Sequence, residues 1–147
     1  MRKNIPILIV GVMFSQVAYG QSDNACFEQA AKRYRVPAQL LRSISRVESG
    51  GNQAAFHRNA NGSWDTGHMQ VNSAWLPTLA RYGITKDRLT NPCVNTHVGA
   101  WILANNFQRM GYGWNAVGEY NAKSPDKATA YARKIAANLR NEEVSID

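Results

Sequence analysis

The sequence is sparing with the residues that most often mark a site. Its 147 residues include two cysteines, Cys26 and Cys93, and three histidines, His57, His68 and His97. The cysteines lie far apart and the histidines are scattered, so no metal-ligand spacing arises and no metal site is expected. Basic residues never run five or more together, which leaves no dedicated nucleic-acid patch. Beyond the first twenty residues, no apolar run is long enough to cross a bilayer. Internal repeats, linkers and low-complexity tracts are also missing. What remains is room for one domain with a real core.

Acidic residues are outnumbered as well. Ten Asp and Glu stand against seventeen Lys and Arg, a formal charge of +7. Such a balance suits an acidic partner: a nucleic acid, a membrane surface or an anionic cell-wall polymer. Residues 1–20 read as a secretory signal peptide. Arg2 and Lys3 form the charged start, Ile5 to Phe14 the apolar run, and Ala18-Tyr19-Gly20 the cleavage site. An uncleaved anchor is the alternative, but the apolar run is short for a span. Export would bring Cys26 and Cys93 into an oxidising compartment, where a disulfide is the favoured reading. It would be worth about 4 kcal/mol in the chain-entropy model. Two buried thiols, or a Cys-His nucleophilic pair, are the alternatives.

One stretch organises the rest. In Leu40-Leu41-Arg42-Ser43-Ile44-Ser45-Arg46-Val47-Glu48-Ser49-Gly50-Gly51, the residues Leu40, Leu41, Ile44 and Val47 make one apolar stripe at helical spacing. Glu48 falls on that stripe, in the last turn before a glycine stop. Burial and the negative end of the helix dipole both favour the protonated carboxyl, the form a general acid requires. The plain alternative is a flanking Glu that reaches solvent or pairs with a cation.

Around this stretch the pattern is mostly helical. A helix is expected from Asn24 to Tyr34, and Pro37 fits the first turn of the helix that carries Glu48. Periodicity stops from Asn52 to Asn72, where Asn61-Gly62 marks a hairpin turn, so a short irregular β lobe is expected. There Gln70 and Asn72 alternate with Met69 and Val71. In an extended strand both amides point one way and suit a sugar's hydroxyls and acetamides; equally, they can close a turn. Ser73 is placed to cap a helix through Ala80. Asn91-Pro92 opens what reads as the longest helix, to about Met110. A short helix follows over 114–122, then a last one from Ser124-Pro125-Asp126 to about Arg140. Residues 141–147 read as a frayed tail.

Three ordered motifs resemble the small lytic transglycosylases of the lysozyme-like superfamily, the SLT-domain family. They are Glu48-Ser49-Gly50-Gly51-Asn52, Gly67-His68-Met69-Gln70-Val71-Asn72 and Glu119-Tyr120-Asn121-Ala122-Lys123. The likeness is greater still to members that accompany conjugation, secretion and pilus systems, and it spans Cys26 to about Arg140. It implies a mainly α, α+β lysozyme-like domain over residues 21–140, with a small β-hairpin lobe beside the active-site cleft. It implies a periplasmic enzyme that cleaves the MurNAc-GlcNAc β-1,4 bond of peptidoglycan and closes a 1,6-anhydro ring. Its partners would be glycan strands and components of an envelope machine, not nucleic acid.

By family position, Glu48 would protonate the leaving oxygen and then, as carboxylate, accept the proton of the attacking C6 hydroxyl, with no cofactor. Tyr120 would hydrogen-bond near Glu48 and orient it. Ser49, Gln70, Asn72 and Asn121 would bind or position sugar, and Met69 would pack the site floor. Asp65 is a candidate second carboxylate, or a cap for the turn at Thr66-Gly67. His68 stands where Leu is usual, Glu119 where a small residue is usual and Lys123 where Gly is usual; Glu119 is expected to face outward. A muramidase using Glu48 and Asp65, and a non-enzymatic peptidoglycan-binding assembly factor, are the rival readings.

Overall fold

The computed structural model describes residues 23–144. The expected signal peptide over 1–20 and the last three residues of the expected tail lie outside that range. Among the described residues, seven α-helices and a small sheet follow in order: α1 Asp23–Tyr34, α2 Ala38–Ser49, β1 Phe56–Arg58, β2 Trp64–Thr66, β3 Val71–Asn72, a 3₁₀ turn Ser73–Trp75, α3 Leu76–Ala80, α4 Lys86–Leu89, α5 Pro92–Met110, α6 Trp114–Gly118 and α7 Pro125–Val144. This is the mainly α architecture with a small β lobe that the sequence led us to expect.

The helix α5 is the hub, with α1 and α6 packed along it and α2 lying between α1 and α7. Its apolar residues occur on every side, and Val98, Trp101, Ile102 and Leu103 are all buried. The stripe on α2 buries Leu40, Leu41 and Ile44, each worth about 1.5–3 kcal/mol of transfer free energy. Ser43, also on α2, donates to Ile135 O at 3.1 Å and Asn138 Oδ1 at 3.0 Å, tying α2 to α7. Gly50 closes α2 in the left-handed region at φ 65°, which an L side chain rarely tolerates. Cys26 on α1 and Cys93 on α5 form a disulfide, so neither thiol is a nucleophile.

Several local expectations are corrected. Pro37 stands just before α2, in an extended conformation. The β lobe is a three-stranded antiparallel sheet in the order β1-β2-β3. Asn61-Gly62 does lie in the β1–β2 turn, where Gly62 donates to Asn59 O at 3.0 Å. Asn72, not Ser73, caps the next segment by accepting from Ala74 N at 2.9 Å. Ser73 Oγ is taken by Trp64 N at 3.1 Å. Asn91 caps α5 as expected. The short helix α6 stops at Gly118, and α7, at 20 residues against 19 for α5, is the longest helix, reaching past Arg140.

Candidate active site

A cleft of about 900 Å³ runs between the β lobe and the helices α5–α7. Glu48 lines it from the last turn of α2, half-buried. Burial is the main influence pushing its carboxyl above the ordinary carboxylate range. The neighbouring Asp65 charge adds to that, and a hydrogen bond from Tyr131 opposes it. That bond, from Tyr131 Oη to Glu48 Oε1, is 2.5 Å long. Tyr131 comes from α7, 83 residues away in the chain, and is itself buried. Its hydroxyl is pushed upward by burial and by Glu48, so it stays a proton donor across ordinary pH.

The hydrogen bond to Glu48 comes from Tyr131, where the sequence led us to expect Tyr120. Tyr120 lines the cleft, but its hydroxyl donates to Met69 O at 2.8 Å. The two tyrosine rings stack, 6.4 Å between centroids and 12° apart. So Tyr120 buttresses Tyr131 while it ties α6's end to the β lobe. Burial, then Glu48, also pushes the Tyr120 hydroxyl well upward.

Asp65 faces the same cleft from β2. It does not cap the following turn. Its Oδ2 accepts from Asn59 Nδ2 at 2.9 Å and its Oδ1 from Asn72 Nδ2 at 2.7 Å. The cleft thus holds two carboxyl groups in unlike settings, one buried beside a tyrosine and one clasped by two amides. Gln70 and Asn72 both line it, yet not as one extended strand. Gln70 has φ 47°, and its Nε2 donates to Gly67 O at 2.9 Å. Asn121 is exposed at the cleft edge.

Ser49, expected to meet sugar, lies elsewhere, while Met69 packs under the cleft as expected. Ser49 is absent from the cleft lining: its Oγ donates to Ser45 O at 3.2 Å and His68 O at 2.9 Å, pinning α2 to the loop before β3. Met69 is fully buried beneath the cleft. Its sulfur-bearing side chain packs on Gly99, where a Cβ would come within 2.7 Å of Met69 Cε and 2.9 Å of Tyr120 Oη. Met69 N donates to Asn95 Oδ1 at 2.9 Å, and Asn95 Nδ2 donates to Thr66 O at 3.0 Å, so one buried amide holds the loop's shape. Gly67 lies against that amide at φ +75°, where a Cβ would come 2.3 Å from Asn95 Nδ2.

His68, where the family usually has Leu, is buried in a polar cluster. Its Nε2 lies 3.2 Å from Pro92 O and 2.9 Å from Thr96 Oγ1, while Thr96 itself donates to Pro92 O. Nε2 therefore carries the proton, and Nδ1 accepts from Ser45 Oγ at 2.8 Å. Burial pushes the imidazole below its ordinary range, which keeps it neutral. Glu119 does not face outward. It lines the cleft rim, paired with Arg109 at 2.5 Å, with its side chain 17% exposed. Trp75, Asn59, Arg109 and Lys127 also line the cleft and were not singled out in the sequence. Neither they nor Tyr131 occur in a motif, and Tyr131 reads as one more apolar position on α7. Among the described residues, no three metal-type ligands come together.

A mainly helical domain with a small β lobe, a cleft between them and a half-buried Glu at a helix end define a lysozyme-like glycan-cleaving class. Comparison with known proteins gives the family. The profile of the transglycosylase SLT domain matches residues 25–141, and the chain belongs to that family, as a lytic transglycosylase. It is similar to the invasion protein IagB of Salmonella typhimurium, 40% identical over 120 residues, covering 78% of this chain and 75% of that protein. Protein IpgF of Shigella flexneri is 36% identical over 121 residues, covering 82% and 78%. A peptidoglycan-binding-like protein of Escherichia coli O157:H7 is 32% identical over 145 residues, covering 90% and 86%.

Proposed function

We propose that this chain cleaves the β-1,4 bond between MurNAc and GlcNAc in peptidoglycan and closes a 1,6-anhydro ring. Glu48 donates its proton to the leaving O4 as the C1–O4 bond breaks. The resulting carboxylate then takes the C6 hydroxyl proton as the C1–O6 bond forms, so no water is consumed and Glu48 returns to its starting state. The observation that carries this reading is the half-buried Glu48 carboxyl, whose pKa burial raises and which accepts a hydrogen bond from Tyr131. Burial supports the acid stage, and the Tyr131 hydrogen bond supports the carboxylate that follows. Tyr131 is a positioning residue, and Tyr120 supports it through the stacked ring. Asp65 would stabilise positive charge developing at C1, fixed in place by Asn59 and Asn72. Gln70 and Asn121 would contact sugar at the cleft surface.

Export to the periplasm agrees with the sequence of residues 1–20 and with the disulfide. No helix among the described residues is long and apolar enough to cross a membrane. The likeness to an invasion protein supports a place beside an envelope-crossing conjugation, secretion or pilus apparatus, where local opening of the wall is needed.

The test is product analysis. Purified sacculi are incubated with the oxidised protein and with Glu48→Gln, and released muropeptides are weighed. Anhydro-ended products from the wild type alone are expected. Products heavier by one water would move the reading to a muramidase, which Asp65 in the same cleft favours as the second reading. No release would leave the binding role.

A further inference from the structure

Beyond the cleft, over its rim, lies a second groove of about 520 Å³ between the α5–α6 corner and α7. Its floor is small. Ala128, Ala132 and Ala136 line it at four-residue spacing along α7. Beneath them α6 and α7 touch so closely that a Cβ on Gly118 would come 2.4 Å from Ala128 O. Its wall is Trp114, half exposed, with no ring partner among the described residues. Lys123 and Arg133 supply positive charge, and neither has an ion-pair partner among the described residues. The one acid in the lining, Glu119, is already neutralised by Arg109.

Glu119 and Lys123 line both the cleft and this groove. A branch leaving a glycan in the cleft beside these two residues would pass directly into the groove along α7. Peptidoglycan carries such a branch: a short stem peptide with alanine methyls and several free carboxylates. We propose that the groove seats this stem peptide, with Lys123 and Arg133 pairing with its carboxylates and its alanine methyls lying over Ala128 and Ala132 beside Trp114. The proposal rests on the glycan reading above and deepens it. The enzyme is then selective for peptide-bearing strands over stripped ones. Lys123, like Glu119, lines both sites, and it is the cation at the rim they share.

Two measurements test this. In the first, the free tetrapeptide stem (alanine, γ-linked glutamate, diaminopimelate, alanine) is titrated into the ¹⁵N-labelled protein. The Trp114 indole and the Thr129 and Ala132 amides should shift. In the second, kcat/KM is compared on uncrosslinked peptide-bearing strands and on the same strands stripped by an amidase. The wild type should prefer the former by about tenfold, the scale of two exposed ion pairs acting together, and Arg133→Glu should bring the ratio to about two or less. An unmoved groove at millimolar peptide, or an Arg133→Glu ratio equal to wild type, overturns the proposal. So does a peptide-free glycan oligomer that moves the same groove resonances, since the groove would then hold sugar. If wild type turns over neither strand yet the peptide still shifts the groove, the catalytic reading fails and the peptide site stands.

Discussion

Replacing Tyr131 by Phe removes one oxygen and one hydrogen bond, and it tests the proposed role of Glu48 from two directions. The bond lost is the 2.5 Å contact to Glu48 Oε1. Hydrogen bonds to charged groups contribute about 1.5–3 kcal/mol. Tyr131 stabilises the carboxylate that Glu48 becomes after giving up its proton, so the loss falls on the proton-transfer step. At about 1.4 kcal/mol per decade, kcat should drop roughly tenfold to a hundredfold. The pH profile carries the sharper signature. Tyr131 is an influence that lowers the Glu48 pKa, so Tyr131→Phe raises it further. The acid form then persists to higher pH, and the alkaline limb of kcat/KM moves upward as the maximum falls. Initial rates on soluble glycan strands across about pH 4–9 read both effects. Because the ring and its packing are retained, a melting curve close to wild type separates this from unfolding. Wild-type kcat with an unshifted limb would refute the reasoning, and so would a limb moving to lower pH.

Further outcomes follow from the same geometry. Asp65→Asn removes an influence that raises the Glu48 pKa, so the alkaline limb should move downward, opposite to Tyr131→Phe, in the same rate assay. Glu48→Gln should stabilise the fold. The raised folded pKa means wild-type stability is fully present below the ordinary 4.5 and lost as pH rises through the folded value, so the Tm gain of the variant should grow from pH 4 toward pH 8. His68 behaves in the reverse sense: its lowered pKa gives stability that is present above the ordinary 6.5 and lost as pH falls through the folded value. The Tm advantage of wild type over His68→Gln should therefore shrink on acidification. Removing the Cys26–Cys93 bridge, which spans 67 residues, should cost about 4 kcal/mol and lower Tm by about 15 °C, measured with and without reductant.

Local patterns carried much of this protein. The stripe on α2 predicted both a buried face and a carboxyl on its edge, because a 3.6-residue period is a property of the chain alone. Gly50, Asn91 and the Asn61-Gly62 turn were legible for the same reason: caps and turns are decided by a few adjacent residues. A turn at Thr66-Gly67 was legible as well, and Gly67 makes it at φ +75°, a conformation glycine adopts without strain. The tertiary structure decided what each of these residues touches. Ser49 sits inside a motif, yet it braces a loop instead of facing the cleft, because spacing along a chain does not say which side of a loop faces water. Gln70 takes the turn alternative to the extended strand: its N–H donates to Gly67 O at 3.0 Å and its φ is 47°. The Arg109–Glu119 pair joins α5 to the end of α6, and so draws an acid toward the cleft that its own neighbours suggested should face away. Above all, Tyr131 meets Glu48 across 83 residues, through the packing of α7 on α2. A hydrogen bond needs two groups within about 3 Å of each other, and only the folded core brings them there.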